Sequence, residues 1–528
     1  MILLLCSFSL IVFSLKNALP IFLGHNSWHN DLLYWLGDIV ALTHNIPTVD
    51  FRTLGSDYFY HFFGALQIAS MQKVTGIPTA EIAIQYSYIV SMVMLGLSSF
   101  CLIKRVIKNQ AWIITLFLLL FSTGIENKTG VTFFWHIYQI PMSFNIAISL
   151  EMVIILLLII QIEKEKLICN VLFYLLLFLL ICTGTKGPSG AIVLCGIGMA
   201  CIYWMVVKKE YNKAICYGVL AIVIFGGIYT LLLMPGNSAY IENASYVDPY
   251  TIGLNNTLIE NCKIIIWKTI KYFRYFIYIN PWTFVPAGIY ICYSLIKKRL
   301  KLEDTIFLLM IIIGTVLGYV MHYYGNSEIY FSLSVFPFAA ILSGKFWEIV
   351  YTFFEIKDRK SYSLDLGILL MIVIIIFFNF ELNWKNTLQT SLINGLQVME
   401  GKAPLYDRNK NMMTNEEYKA YTWIRNNTDY NAIFLSDRSL EEEEFCYIPG
   451  VFAERYIYNY IVNDEIEIAK ESFKGEKEAM EYFINKGIKY YIQNIRISPY
   501  FSCNKAYGEK IYENDEVVVW EMKETILK

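Results

Sequence analysis

Charged residues, paired cysteines and long basic runs are scarce or absent in this 528-residue chain. Only 17% of the residues are charged, whereas 56% are hydrophobic and the mean hydropathy is +0.45. This balance excludes an ordinary soluble enzyme and is typical of a polytopic membrane protein. Because the net charge is −2 and no Lys/Arg run is present, we expect no nucleic-acid partner.

The eleven cysteines contain no CxxC pair, which argues against a zinc ribbon or a thioredoxin-like redox motif. Eight of them lie in apolar segments, where cysteine behaves as a small hydrophobic residue. Cys446 and Cys503 are the two that could pair in the polar C-terminal part, and we expect both to be free thiols.

Histidine is also rare, yet four of the six histidines fall in one polar loop, residues 25–61. This loop also carries four aspartates and several aromatic residues. The histidines and aspartates of the loop are His25, His29, His44, His61, Asp31, Asp38, Asp50 and Asp57. Groups that accept or donate protons are thus gathered in one outer segment of an apolar protein, which predicts a reaction centre there.

Apolar segments long enough to cross about 30 Å of hydrocarbon recur along the chain. We predict eleven membrane-spanning helices at 1–22, 81–103, 111–125, 143–162, 168–184, 189–207, 214–234, 281–297, 304–322, 332–354 and 364–382. The first is expected to be a retained anchor. Residues 57–77 and 255–279 are expected to lie along the membrane interface instead of crossing it.

The orientation follows from the cations of the short connections, because loops rich in Lys and Arg face the cytoplasm. Alternate connections hold fifteen of them, at 104–108, 164–166, 208–213, 297–301 and 357–360. The histidine-rich loop, His136, His322 and everything after residue 382 are therefore predicted to face outward from a bacterial cytoplasmic membrane.

A polar C-terminal domain is predicted at 389–528, after a membrane domain at 1–388 whose first outer loop covers about 23–80. A capping box at 414–417 opens a helix. The run 432–435 is predicted to be a strand, 476–486 a helix ended by Gly487, and 488–492 a second strand. Segments 510–512 and 517–521 form a hairpin pattern. These elements predict a small extracytoplasmic α/β domain.

Several segments together resemble the GT-C class of membrane glycosyltransferases, in a bacterial branch related in architecture to protein O-mannosyltransferases and oligosaccharyltransferase catalytic subunits. The segments are HNDLLYWLGDIVAL and SDYFYHFFGAL in the first loop and AYTWIRNNTDYNAIFLSD, FAERYIYNY and YENDEVVVWEM in the tail. The likeness covers most of the chain as architecture and a few dozen residues as motif.

The resemblance implies a sugar donor linked to polyprenyl phosphate and an acceptor that is a glycan, a lipid or a protein of the cell envelope. Transfer would take place on the outer face of the lipid bilayer. The first loop has no Asp-Glu pair, because Asn30 precedes Asp31. A divalent cation, Mg²⁺ or Mn²⁺, is therefore left open as a cofactor.

Asp31 is the leading catalytic candidate, since glycosyl transfer needs a carboxylate to take or orient the acceptor's proton. Asp38, seven residues on, shares its helix face, and His29 would orient Asp31. Tyr34 and Trp35 are placed to stack on a sugar. The alternative is a solvated outer helix whose aspartate caps or pairs locally.

Donor binding is assigned to His61, Tyr60 and Lys186. Lys186 lies in TGTKGPSG, where glycines allow a close backbone approach and the ammonium could neutralise a lipid phosphate. The alternatives are interfacial hydrogen bonding for His61 and a turn with a solvent-seeking lysine for Lys186. Glu328 and Tyr330, in a later outer loop, are auxiliary or acceptor-binding candidates.

The sequence is also consistent with two alternative functions. Glu151 and Lys16 lie inside predicted spans, and ionisable residues at that depth often line a wet pathway, which favours a lipid-linked-sugar transporter or flippase. A transporter would be expected to show internal repeats, and none is clear. A polymerase or ligase of surface polysaccharide is the other alternative.

Overall fold

A computed structural model describes most of the chain, and the ranges it describes are 7–8, 10–15, 17, 26–45, 61–122, 133–138, 143–233, 257, 259–264, 266–267, 270, 280–320, 328–355, 385–400, 412–440, 446–461, 463–503 and 507–523. The predicted span at 364–382 lies outside these residues, as do Tyr60 and Asp57.

The described part is mainly helical. Its helices, in chain order, are α1 (Asn30–His44), α2 (Phe63–Thr75), α3 (Thr79–Val106), α4 (Ala111–Phe121), α5 (Phe133–Tyr138), α6 (Phe144–Ile162), α7 (Cys169–Thr185), α8 (Gly187–Lys208), α9 (Tyr211–Leu232), α10 (Pro281–Ile296), α11 (Leu302–Val320), α12 (Ile329–Glu355), α13 (Lys385–Met399), α14 (Asn415–Asn427), α15 (Ile448–Ala453), α16 (Ile466–Ser472) and α17 (Lys477–Asn485).

Five of these helices, α3, α6, α8, α9 and α12, are long and apolar enough to cross a membrane. The helices α4, α7 and α10 are apolar but shorter. Each of these helices overlaps a segment predicted as a span from hydropathy, so the helical membrane-type fold is confirmed. The total of eleven spans stays a prediction.

The chain divides into two compact units, and the first comprises residues 1–9, 59–64 and 90–388. Within it, α12 packs against α4, α10 and α11, and α8 packs against α6, α7 and α11. Helices α10, α11 and α12 are joined by a buried ion pair between Lys345 and Asp304, whose carboxylate also accepts a hydrogen bond from Tyr290 (2.7 Å). The ion pair and the extra hydrogen bond together offset part of the desolvation cost of burying both charges.

The second unit comprises residues 10–58, 65–89 and 389–528 and contains the sheets. The strands are β1 (Asn26–Ser27), β2 (Met412–Met413), β3 (Ile433–Ser436), β4 (Tyr456–Ile457), β5 (Tyr490–Asn494), β6 (Gly508–Glu513) and β7 (Val517–Met522). The main sheet has the order β4-β3-β5-β7-β6, with β4, β3 and β5 parallel and β7 and β6 antiparallel to their neighbours. Strand β1 pairs with β2, so the start of the first loop is hydrogen-bonded to the C-terminal region.

The local signals in the C-terminal sequence are confirmed. Thr414 caps α14 through the Glu417 N–H, and the Glu417 side chain accepts from the Thr414 N–H in return. Helix α17 ends before Gly487, whose φ of +85° is a conformation that glycine adopts without a steric cost. Strands β6 and β7 form the predicted hairpin around 514–516.

A buried polar network closes the carboxyl ends of β3 and β5. Both carboxyl oxygens of Asp437 accept from the Asn494 N–H (3.0 and 2.9 Å). The Asn494 side chain donates to Glu417 (2.9 Å), and Arg438 lies 3.4 Å from the same carboxylate. Burial raises the pKa of Asp437 to about 8, against the opposing effect of the Asn494 hydrogen bond.

Candidate active site

The first unit contains a break between two apolar helices, and Lys186 occupies it. Its backbone is extended, with φ −154° and ψ 102°, so it ends α7 and serves as the N-cap position of α8. Pro188 follows in the first turn of α8, where its missing N–H costs no hydrogen bond. The Lys186 N–H still donates to the Cys182 carbonyl (2.8 Å). The sequence KGP thus explains why the helix stops and restarts at this residue.

Glycine at position 184 lets another segment approach this break closely. A Cβ atom at Gly184 would lie 2.5 Å from the ring of Phe63, at the start of α2. A Cβ atom at Gly64 would lie 2.8 Å from the side chain of Ser143. Only the absence of side chains at these two positions allows the segment that follows His61 to pack against the end of α7.

The side chain of Lys186 is buried, with 6% of its surface exposed, and its ammonium lies 3.5 Å from the centre of the Tyr330 ring. This is a close cation–π contact, stronger where water is excluded. His136 and Phe144 pack against the same ring, at centroid distances of 5.3 and 5.4 Å. Lys186 and Tyr330, which are 144 positions apart in the chain, are therefore direct neighbours.

His61 is, with Lys186, the other predicted donor-site residue that the structure describes. Burial of its imidazole, with a smaller contribution from the positive charge of Lys186, lowers the pKa of His61 well below its usual value. The ring is therefore neutral at physiological pH and carries one N–H donor and one acceptor nitrogen. Together, Lys186 supplies a charge and His61 a neutral hydrogen-bonding group.

A hydrogen-bonded pair lies one turn further along the same two helices. The hydroxyls of Ser189 on α8 and Ser334 on α12 are 2.7 Å apart. The fully buried carboxyl of Glu151, on α6, faces Ser189. This arrangement fixes the start of α8 against α12 and so supports the contact between Lys186 and Tyr330.

In the second unit, His29 and Asp31 form the start of α1. The Asp31 N–H donates to Nδ1 of His29 (3.2 Å), which makes His29 the N-cap residue of this helix. The Asp31 carboxylate lies 3.7 Å from the same nitrogen, and 64% of its side-chain surface is exposed. Asp31 is thus open to solvent, and His29 orients the turn that carries it.

The second aspartate of α1, Asp38, is less exposed than the sequence predicts. Asp38 is buried, with 5% of its surface exposed, although a spacing of seven residues predicts that it shares the exposed helix face of Asp31. The physical reason is that α1 packs against α15 and the start of α3, and its residues Leu36, Ile39 and Val40 are buried with Asp38. Near the start of α1, the Tyr34 ring meets that of Tyr447 edge to face at 5.9 Å.

Three further predicted site residues are Trp35, Glu328 and Tyr60. The indole N–H of Trp35 is enclosed and has no hydrogen-bond partner among the residues that the structure describes. Glu328 is half-buried just before α12, and its carbonyl accepts from the Phe331 N–H (3.1 Å). Tyr60 lies outside the described residues.

A divalent cation held by the protein would need several donor side chains close together. In the described ranges, no three side chains of His, Cys, Asp or Glu are grouped closely enough to hold a metal ion. His29 and Asp31 offer only a pair. The residues present in those ranges therefore do not fit a protein-held cation.

Sequence reasoning missed two parts of this site. His136 was predicted only to face outward and was given no part in the site, yet its ring contacts Tyr330. Ser189 lies in the TGTKGPSG segment without having been assigned a role, and no motif marks its partner Ser334. The one available signal for His136 was its place in the same outward-facing set of loops as the other histidines.

No protein-family model matches the sequence, and a search of curated proteins gives no match. Solved structures do match. ArnT from Cupriavidus metallidurans, bound to undecaprenyl phosphate, has a TM-score of 0.52 at 11% identity, over 99% of this chain and 98% of that chain. The oligosaccharyltransferase of Archaeoglobus fulgidus, tethered to an acceptor peptide, has a TM-score of 0.51 at 13% identity, over 94% of this chain and 68% of that chain.

The helices and the sheet domain define a membrane-type helical protein with an additional α/β domain. Both neighbours are GT-C membrane glycosyltransferases, and this chain has their fold. The fold that the sequence motifs implied is therefore confirmed. At 11–13% identity the likeness concerns the fold alone, so activity and substrates are taken up as a proposal.

Proposed function

We propose that this protein is a glycosyltransferase that moves a sugar from a polyprenyl-phosphate carrier to a glycan, lipid or protein acceptor of the cell envelope. The observation that carries this proposal is the buried ammonium of Lys186, held on Tyr330 beside a neutral His61. The GT-C fold supports it, and ArnT, which has the same fold, was solved with undecaprenyl phosphate bound.

The charge of Lys186 suits a lipid phosphate for a physical reason. A buried ammonium in an apolar surrounding attracts an anion strongly, because little water screens the charge. A carrier phosphate would accept a charge-assisted hydrogen bond from it. His61 would add a neutral hydrogen bond, with Tyr60 as the further residue assigned here. Glu328 is assigned to the acceptor.

In the reaction, the bond from the sugar's anomeric carbon to the phosphate oxygen breaks as a bond to the acceptor oxygen forms. The acceptor's proton would pass to Asp31, which is exposed and held in place by His29. The negative charge left on the carrier phosphate would be stabilised by Lys186. Tyr34 and Trp35 would contact the sugar ring, and Asp38 would assist from inside the helix packing.

The cellular setting belongs to the same proposal. The fifteen cations of the alternating loops support placing the first loop and residues 389–528 outside the bacterial cytoplasmic membrane. Cysteines introduced at exposed positions within 40–55 and 400–525 should then react with an impermeant reagent on whole cells. Cysteines at 104–108 and 297–301 should react only after the cells are broken, and the reverse pattern would refute this orientation.

The proposed activity is tested with the full chain in lipid nanodiscs and a set of radiolabelled undecaprenyl-phosphate sugars, with cell-envelope extract as acceptor. The expected result is label transferred to acceptor, and loss of that transfer in Asp31→Asn while donor binding persists. Donor binding without any transfer would contradict the proposal. Movement of intact donor across proteoliposome membranes would instead favour the transporter.

A further inference from the structure

Glu454 is a buried acid of the C-terminal region that contacts three other segments of the second unit. It follows α15, and 3% of its surface is exposed. One carboxylate oxygen accepts from the Thr79 N–H at 2.7 Å, and the other lies 3.5 Å from the side-chain nitrogen of Gln72 on α2. Its backbone carbonyl lies 3.2 Å from Nε2 of His44, the last residue of α1.

The contact with Thr79 caps a long apolar helix from a distant part of the chain. Thr79 is the first residue of α3, and Pro78, in the N-cap position, supplies no side-chain hydrogen bond. The Thr79 N–H is one of the helix-start donors that has no partner inside the helix, and the residue is fully buried. A carboxylate here satisfies that donor and also interacts favourably with the positive end of the helix dipole.

The contact with His44 is reinforced by the residues around it. The His44 ring stacks on Tyr430 at 3.9 Å, and the Tyr430 hydroxyl donates to the Thr43 carbonyl (2.7 Å). Arg455, next to Glu454, donates to the carbonyls of Arg425 and Thr428 (2.7 and 2.8 Å). These contacts attach the end of α1 to the C-terminal region through His44, Tyr430 and the Glu454 carbonyl.

The backbone of Glu454 lies in the left-handed region, with φ +50° and ψ +45°. Residues with a Cβ adopt this conformation at an energetic cost, and glycine adopts it freely. The turn is therefore occupied by an acid where glycine would suit the backbone better. The side-chain contacts with Thr79 and Gln72 offset this conformational cost.

We propose that Glu454 is a positioning residue that fixes the end of α1 and the start of α3 on the C-terminal region. It would thereby hold the helix that carries Asp31 in its reactive placement. This inference rests on the proposed function for its catalytic part, whereas the positional part concerns only contacts within the second unit.

The experiment compares Glu454→Gly, Glu454→Gln and Asp464→Gly in the full-length protein in nanodiscs. Glu454→Gly removes the carboxylate and also relieves the left-handed backbone, so the C-terminal domain should not melt earlier. Asp464 is the matched control, because it is exposed in the same domain and has a φ of +57°. Its change to glycine relieves the same backbone cost without touching α1 or α3.

Amide hydrogen exchange measures the positional effect. Glu454→Gly should raise exchange at 79–82 by about tenfold, which corresponds to about 1.4 kcal/mol and to the removal of one buried hydrogen bond. The substitution keeps the carbonyl that faces His44 but frees the turn that carries it, so exchange at 41–45 should rise by a smaller factor. Glu454→Gln keeps an acceptor oxygen and should recover most of the protection. Asp464→Gly should leave both segments at the parental rate. Unchanged exchange in Glu454→Gly would overturn the proposal.

Transfer kinetics then test the catalytic part. Misplacement of α1 should lower kcat by about tenfold in Glu454→Gly and leave the KM for the lipid-linked donor unchanged, with partial rescue by Glu454→Gln. Raised exchange with a parental kcat would refute a role in the reaction. If the parent transfers no sugar and exchange still responds as expected, the positional inference is supported and the proposed function alone fails.

Discussion

The sharpest prediction concerns the charge of Lys186. Lys186→Met keeps the length and the apolar stem of the side chain and removes the ammonium that lies 3.5 Å from the Tyr330 ring centre. A hydrogen bond to a charged group contributes about 1.5–3 kcal/mol, so the affinity for a polyprenyl-phosphate sugar should fall by roughly 10- to 150-fold. Lys186→Arg should recover part of the loss, because arginine keeps the charge and also stacks on aromatic rings.

The stability of the Lys186→Met protein should change little. The substitution removes a cation–π interaction that stabilises the fold by about 0.5–2 kcal/mol, and it removes the desolvation cost of the buried ammonium at the same time. A weaker affinity can therefore be separated from unfolding by measuring the melting temperature of each variant in the same nanodiscs.

Lys213 provides the matched control. It is also a buried lysine of the first unit, and its ammonium lies 4.7 Å from the centre of the Trp204 ring. Its ammonium donates hydrogen bonds to the Glu210 carboxylate (3.0 Å) and the Lys164 carbonyl (2.6 Å). Lys213→Met should lower the melting temperature and leave donor affinity within about twofold of the parent. Parental donor affinity in Lys186→Met, or an equal loss in both variants, would refute the reasoning.

Three further predictions follow from individual side chains. Asp31→Asn should lower the transfer rate by about 10²–10⁴-fold without a change in melting temperature. Asp38→Asn should lower the transfer rate less and the melting temperature more, because Asp38 is buried. The exposed acid Glu467 serves as the control, and Glu467→Gln should change neither quantity. Burial lowers the pKa of His44 to about 4, so the attachment of α1 should be intact above pH 6.5 and weaken as the pH falls towards 4; exchange at 41–45, corrected for its intrinsic pH dependence, should show this and His44→Gln should remove it. Because the pKa of Asp437 is raised to about 8, the stability of the C-terminal domain should decline by an amount on the order of a few kcal/mol as the pH rises from 4 to 8, and denaturation of Asp437→Asn should lack that decline.

The elements that could be predicted from sequence are those decided within a few residues of themselves. The capping box of α14 needs only Thr414 and Glu417, and the end of α17 needs only a residue that tolerates a positive φ. The break at Lys186 is of the same kind, since Gly187 and Pro188 stop one helix and permit the next. Apolar segments of sufficient length likewise predicted the helices of the first unit.

The surroundings of the candidate site depend instead on contacts between distant segments. A neutral His61 and a lysine held on Tyr330 follow from helix packing that lets Phe63 pass over Gly184. Hydropathy identifies the helices but contains no information on which of their faces meet. The motif therefore located Lys186 correctly in a helix break, while its burial required the packed structure.

The two aspartates of α1 show the same limit in a single helix. A spacing of seven residues puts Asp31 and Asp38 on nearly one face, because two helical turns take about 7.2 residues, and it predicts a shared environment. Exposure is set by what covers that face, and α1 packs against α15 and the start of α3. Asp31 stays open to an acceptor and Asp38 is enclosed, so their substitutions should separate chemistry from packing.

The attachment of α1 and α3 has no local signal either. Glu454 and Thr79 are 375 residues apart, and no pattern near either one predicts that an acid of the C-terminal region caps α3. A carboxylate can satisfy a helix-start N–H from any distance along the chain, because the bond needs only proximity in space. What holds the Asp31 helix in place is thus a property of the tertiary structure, and substitutions at Glu454 test it directly.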